Sequence, residues 1–176
     1  MLALGIDPGS WRTGWGLVRQ EGSRVLLVAA GTVAARRGEP IEQRLAVLHA
    51  EVGALLERWR PERVGVESVF HGRNTRSLVV LGQARGALIA AIGGRGLAFS
   101  ELAPAEVKKA VTGRGGASKE QVAHMVGALL GPRVSEVGPD ASDALAVAIA
   151  LLHRDRFAGL VARATSATRG QLAGEP

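Results

Sequence analysis

The chain has 176 residues, a length that suits one domain built on one sizeable core. Hydrophobic residues make up 47% and charged residues 22%, a globular balance, and the absence of cysteine excludes a disulfide framework and any thiolate metal centre. The formal charge of +6, from 22 basic and 16 acidic residues, favours a polyanionic partner, because Lys and Arg that meet phosphates release bound counterions.

Residues 2–8 form an apolar run closing on Asp7-Pro8-Gly9, a turn after a buried strand. Residues 13–19 alternate weakly, and residues 24–33 are β-branched and apolar. With turns at Gly9-Ser10 and Glu21-Gly22-Ser23, three antiparallel strands open the chain. Ile41, Leu45, Leu48, Val52, Leu55, Leu56 and Trp59 then recur at helical spacing until Pro61 stops the helix. Val64-Gly65-Val66-Glu67 reads as a short buried strand ending in a carboxylate. A polar stretch, 71–74, leads into a second helix over 75–92, and 97–102 is the fifth strand.

Pro104 opens a short helix carrying Lys108 and Lys109, and the loop 112–117 holds three glycines and Arg114. Ser118 caps a helix running to Leu130. Pro139 opens the last helix, 140–153, and residues 155–176, with little periodicity, read as a loose tail. The order predicts an α/β fold with a five-stranded mixed sheet flanked by helices, all within residues 1–154. The stretch 78–99 is too broken by Gln83, Arg85 and Arg95 to span a membrane. The chain enters its first strand without the charged lead of a signal peptide, so the expected location is the cytoplasm.

Of four aspartates, Asp7, Asp140 and Asp143 sit at element ends beside apolar runs, as Glu67 does. Asp140 and Asp143 share a helix face, three residues apart. Each has a plain alternative: Asp140 and Asp143 complement the positive N-terminus of a helix, and Asp7 suits a turn. Glu67 is harder to dismiss, because a carboxylate ending a buried strand needs a partner or a cation. Should the four converge, their repulsion calls for a bound cation, and hard oxygen ligands without cysteine select magnesium or manganese. Two such ions would form the clamp used in phosphodiester displacement.

Five blocks then carry a family resemblance in the correct order. Gly5-Ile6-Asp7-Pro8-Gly9-Ser10 with Thr13-Gly14-Trp15-Gly16 resembles the opening of the RuvC-type Holliday-junction resolvases. Val66-Glu67-Ser68-Val69-Phe70, Leu81-Gly82-Gln83-Ala84-Arg85-Gly86, the stretch 107–125, and Asp140-Ala141-Ser142-Asp143-Ala144-Leu145-Ala146 continue it to about residue 153. The resemblance implies a ribonuclease-H-like fold, a homodimer, and paired nicks in strands of like polarity across a four-way junction. It implies Asp7, Glu67, Asp140 and Asp143 as ligands of two Mg²⁺ ions, with Mn²⁺ as a substitute. It places Lys108 and Lys119 on the DNA backbone near the scissile phosphate and Phe70 on a junction base, with Arg73 and Arg76 as further DNA contacts. Arg73 stands where many relatives carry lysine, and some carry histidine at the position of Asp140. Lys109 and Arg114 receive no role. The RuvA and RuvB branch-migration proteins are the implied partners. The helix over 75–92, rich in small residues, is the candidate dimer face, and burial against its own sheet explains one face of it equally well.

Three other classes share parts of this pattern. An actin-like or sugar-kinase ATPase also opens with a strand and an Asp-x-Gly turn, but needs two such domains. A junction-binding module that does not cut gains nothing from four acids facing phosphates. A ribonuclease H or transposase relative shares metals and fold and differs in substrate.

Overall fold

The computed structural model describes residues 1–68 and 75–172, and, beyond Val161, the side chain of Thr165 alone. The sheet order is β3-β2-β1-β4-β5, with β1 (Leu2–Asp7) in the middle. The strands β2 (Arg12–Glu21) and β3 (Arg24–Ala34) extend it antiparallel on one side. On the other side β4 (Arg63–Glu67) and β5 (Phe99–Leu102) run parallel to β1. The β2–β3 turn is tight enough to need Gly22 at a φ of 61°, a left-handed conformation that glycine adopts without a Cβ clash. The expected α/β architecture, five strands with the first three antiparallel, is therefore the one found.

Period-two alternation supplies the sheet with two apolar faces. Leu4, Ile6, Leu17, Val64 and Val66 pack with Leu48, Val52 and Leu56 of α1 (Ile41–Trp59) and with Ala84, Leu88 and Ile92 of α2 (Thr75–Gly93). Ala3, Val18 and Leu102 face α3 (Pro104–Thr112), α4 (Lys119–Leu130) and the long α5 (Pro139–Leu172). A 3-10 turn, Pro132–Glu136, joins α4 to α5 and was not expected from the sequence. Residues 144–152 of α5 are all buried, which is why that segment is apolar on every side.

The expected end of the last helix at His153 is corrected, because helical backbone continues to Leu172. Ala- and Arg-rich sequence has high helix propensity and prolongs a helix already nucleated by the core, even without an apolar stripe. Arg63 ties the first turn beyond the core to the sheet, its Nε 2.8 Å from an Asp155 oxygen. Among the described residues, no helix is long and apolar enough to cross a membrane.

Candidate active site

Strand pleat decides where the acids go. Leu4 and Ile6 point to α1 and α2, so Ala3, Gly5 and Asp7 point to the α5 face. On β4 the same alternation leaves Gly65 and Glu67 on that face. Gly5 lies opposite Gly65 and Ile6 opposite Val66, so Asp7 and Glu67 follow side by side where the two central parallel strands end. Ser68 fixes the exit of β4, its amide and hydroxyl both donating to the Leu102 carbonyl, at 2.9 and 3.2 Å.

The first turns of α5 lie directly over this corner. Bare backbone at three strand positions makes the close approach possible. A Cβ on Gly5 would collide with the carbonyl of Ala144, one on Gly14 with the carbonyl of Asp140, and one on Gly16 with Leu145, 2.7 Å away. The approach delivers Asp140 and Asp143 to the strand ends. The start of α4 is fixed by a capping box, in which the Ser118 hydroxyl accepts from the Gln121 amide and the Gln121 side chain accepts from the Ser118 amide. Lys119 therefore opens α4, where a cation opposes the helix dipole, and its Nζ sits 2.6 Å from an Asp143 oxygen.

Glu67, Lys108, Lys119 and Asp143 line one cleft of about 250 Å³, walled by Pro104, Val107 and Val122. Two larger hollows, of about 440 and 480 Å³, border α4 and contain none of the four acids. Charge rather than size singles out the smaller one.

Burial pushes the Asp7 carboxyl up from 3.8 to about 8, reinforced by the charges of Glu67 and Asp143 and a hydrogen bond with Glu67, and offset in part by Lys119. Burial raises Glu67 as well, against the Asp7 hydrogen bond, with Asp143 raising and Lys108 and Lys119 lowering it. Burial and mutual repulsion thus both favour the protonated form of the Asp7–Glu67 pair. The hydrogen bond to Asp143 raises the Lys119 ammonium above its ordinary value.

Asp140 stands at the rim, where an oxygen lies 3.0 Å from Nε of Arg12. Two of the four acids are thus engaged by side-chain cations and two by each other. Among the described residues, no group of three or more carboxylates or histidines stands as a ready-made coordination shell. The donor set nevertheless suits a hard divalent ion: clustered carboxylate oxygens, partly desolvated, with no cysteine thiolate in the chain.

The structure brings Asp7, Glu67, Asp143, Lys108 and Lys119 together, with Asp140 beside them. Lys109 and Arg114 are exposed on α3 and the following loop, and Arg76 is exposed on the first turn of α2, outside the cleft lining. Phe70 and Arg73 lie outside the described residues. Arg12 was missed from the sequence. No spacing rule marks an arginine five residues after a strand-end aspartate, and the family blocks skip positions 11 and 12.

A family model described as "Crossover junction endodeoxyribonuclease RuvC" matches residues 3–151. The crossover junction endodeoxyribonuclease RuvC of Xanthobacter autotrophicus is 44% identical over 164 residues, covering 93% of this chain and 95% of the relative. That of Zymomonas mobilis is 42% identical over 168 residues, covering 96% and 100%. The structure of Thermus thermophilus RuvC in complex with a Holliday junction substrate superposes with a TM-score of 0.82 at 34% identity, covering 90% of this chain and 96% of that one. By sequence over nearly its whole length, and by a fold that gathers the acids at one corner, this chain belongs to the RuvC family of crossover junction endodeoxyribonucleases.

Proposed function

We propose that the chain is a divalent-cation-dependent endonuclease that resolves four-way DNA junctions by paired nicks in strands of like polarity, in recombination and repair in the cytoplasm. The reading rests chiefly on one observation. Asp7, Glu67 and Asp143 reach one corner from three distant parts of the chain, and Lys108 and Lys119 face the same cleft. An acidic cluster alone repels DNA. With basic side chains beside it, the cluster suits a phosphodiester held across its mouth.

Asp7, Glu67, Asp140 and Asp143 are the groups to hold Mg²⁺, as two ions, or Mn²⁺ in its place. When bound, such ions supply charge neutralisation and water activation for phosphodiester hydrolysis. A water oxygen forms the new bond to phosphorus, the bond to the 3′-oxygen breaks, and that oxygen leaves with a proton. Lys119 and Lys108 orient the scissile phosphate and offset the charge growing on it. The apolar wall of Val107 and Val122 limits water around that charge, which strengthens both effects. Phe70, Arg73 and Arg76 are assigned to the DNA by family resemblance, Phe70 as the base-stacking residue.

Two equivalent cuts in a two-fold junction call for a two-fold dimer. A Cβ on Gly82 or Gly86 of α2 would meet nothing within 4 Å, and Leu78 and Val79 on the same helix are 37% and 56% exposed. That open, partly apolar face supports α2 as the dimer contact. RuvA and RuvB remain partners by resemblance, and residues 1–154 the nuclease domain.

The deciding experiment incubates the protein with labelled four-way junction, linear duplex and RNA–DNA hybrid, with and without Mg²⁺. Symmetric nicks confined to the junction and dependent on Mg²⁺ are expected. Cutting of the hybrid, or of the junction without divalent ions, would overturn the assignment.

A further inference from the structure

Arg12 is held in place more firmly than its exposure suggests. Its carbonyl oxygen lies where a Cβ on Gly9 would be, so the loop after Asp7 folds tightly onto it. Its neighbour Trp11 accepts a backbone hydrogen bond from Ala35 at 3.0 Å, tying the loop to the end of β3. The Trp11 ring also lies under the guanidinium of Arg44, 3.9 Å from its centroid, and Arg44 is only 6% exposed. Arg44 has a buried Nε without a hydrogen-bond partner, and its guanidinium charge lies against the indole face. Arg12 itself opens β2, two residues before Gly14, whose backbone packs on Asp140.

The guanidinium of Arg12 accordingly has a fixed root and a free end. The free end is 60% exposed and sits on the outermost acid of the cluster, Asp140, itself 33% exposed. A divalent ion that takes Asp140 as a ligand competes with Arg12 for the same oxygens. Once displaced, the guanidinium stays at the rim, because its backbone cannot leave. A planar donor fork there is suited to phosphate oxygens.

We propose that Arg12 is an exchangeable counter-ion: it holds Asp140 in the cation-free protein and is released onto a DNA phosphate when divalent ions bind. Trp11 and Arg44 are the positioning residues that keep it there. The DNA half of the inference rests on the proposed junction-cutting function; the cation half does not. Arg12 thereby couples two events, since the ion that equips the cleft for chemistry also frees a contact for the substrate.

The test uses the full chain and two readouts, neither of which is cleavage. Mn²⁺ binding is measured by calorimetry and electron paramagnetic resonance for wild type, Arg12→Ala and Arg12→Lys. Arg12→Ala is expected to bind Mn²⁺ about two- to five-fold more tightly, the scale of an exposed ion pair, with Arg12→Lys close to wild type. Equal affinity in wild type and Arg12→Ala would overturn the counter-ion role. Four-way junction affinity is then followed against KCl concentration in EDTA and in Ca²⁺. Arg12→Ala should lower the salt slope by about one unit in Ca²⁺ and leave it unchanged in EDTA. An unchanged slope in both would overturn the phosphate role, as would a drop of equal size in both. Wild type that binds no junction in either medium defeats the proposed function, while the Mn²⁺ measurement still judges the counter-ion.

Discussion

The carbonyl oxygen of Asp140 fills the space that a side chain on Gly14 would need. One absent methyl group in β2 thus sets how near the first turn of α5 comes to the ends of β1 and β4. Gly14→Ala should lift that turn, costing about 1–3 kcal/mol of stability by overpacking against backbone. Cleavage should fall further than stability accounts for, because Asp140 and Asp143 move with the helix. Urea unfolding compared with single-turnover cleavage checks both.

Gly86 presents the opposite case, with open space where a Cβ would sit. Gly86→Ala should stabilise the isolated fold by about 0.5–1 kcal/mol through helix propensity. If α2 packs closely on a second copy, the same methyl group weakens the dimer. Sedimentation velocity across a concentration series, set beside the melting temperature, separates the two effects.

Asp7 ties stability to pH in the cation-free protein. Its folded pKa of about 8 lies above the unfolded 3.8, so the folded state keeps a proton that the unfolded chain has already lost. The associated stability is complete below about pH 4 and drains away as pH rises through about 8. Burial raises Glu67 in the same direction. The melting temperature in EDTA should therefore decline from pH 5 to pH 8, and millimolar Mg²⁺ should offset the decline. A flat profile in EDTA would remove Asp7 as its source.

Asp7→Asn removes that penalty together with a ligand. Cleavage should drop at least about 10²-fold, the scale of losing one preorganised electrostatic group at a reaction centre. Junction affinity should hold or rise, since a negative charge facing phosphates has been lost. At pH 8 in EDTA the variant should melt above wild type. Electrophoretic mobility shifts and thermal scans on one preparation give all three values.

Lys119→Met keeps the stem and deletes the ammonium that sits 2.6 Å from Asp143. The freed carboxylate should take Mn²⁺ somewhat more tightly, while cleavage at saturating metal falls because one of the two lysines lining the cleft no longer offsets the charge on the phosphate. Mn²⁺ titration with single-turnover rates distinguishes the two. A variant that cuts at the normal rate would return Lys119 to the role of a structural ion pair.

Much of this corner could be read from the residues. Asp7 and Glu67 close apolar strands, and period two puts each on the face opposite its large neighbours, Ile6 and Val66. Asp140 and Asp143 follow a helix-opening proline. What stayed hidden depends on contacts between segments. Nothing in the order of residues gives the β1–β4 register, the capture of Asp143 by Lys119, or that of Asp140 by Arg12. The continuation of α5 beyond His153 was missed because a helix with no apolar stripe offers no periodicity to detect. The 3-10 turn before it was masked by Pro132, which reads equally as a break.

The parallel alignment of β1 with β4 carries a safeguard. These strands are some sixty residues apart in the chain, and a slip of one residue between them would turn Glu67 to the opposite face of the sheet. A nascent or misaligned polypeptide therefore has no means of gathering its acids. Convergence of the acids thus depends on correct strand alignment, so assembly of the corner and completion of the sheet are one event.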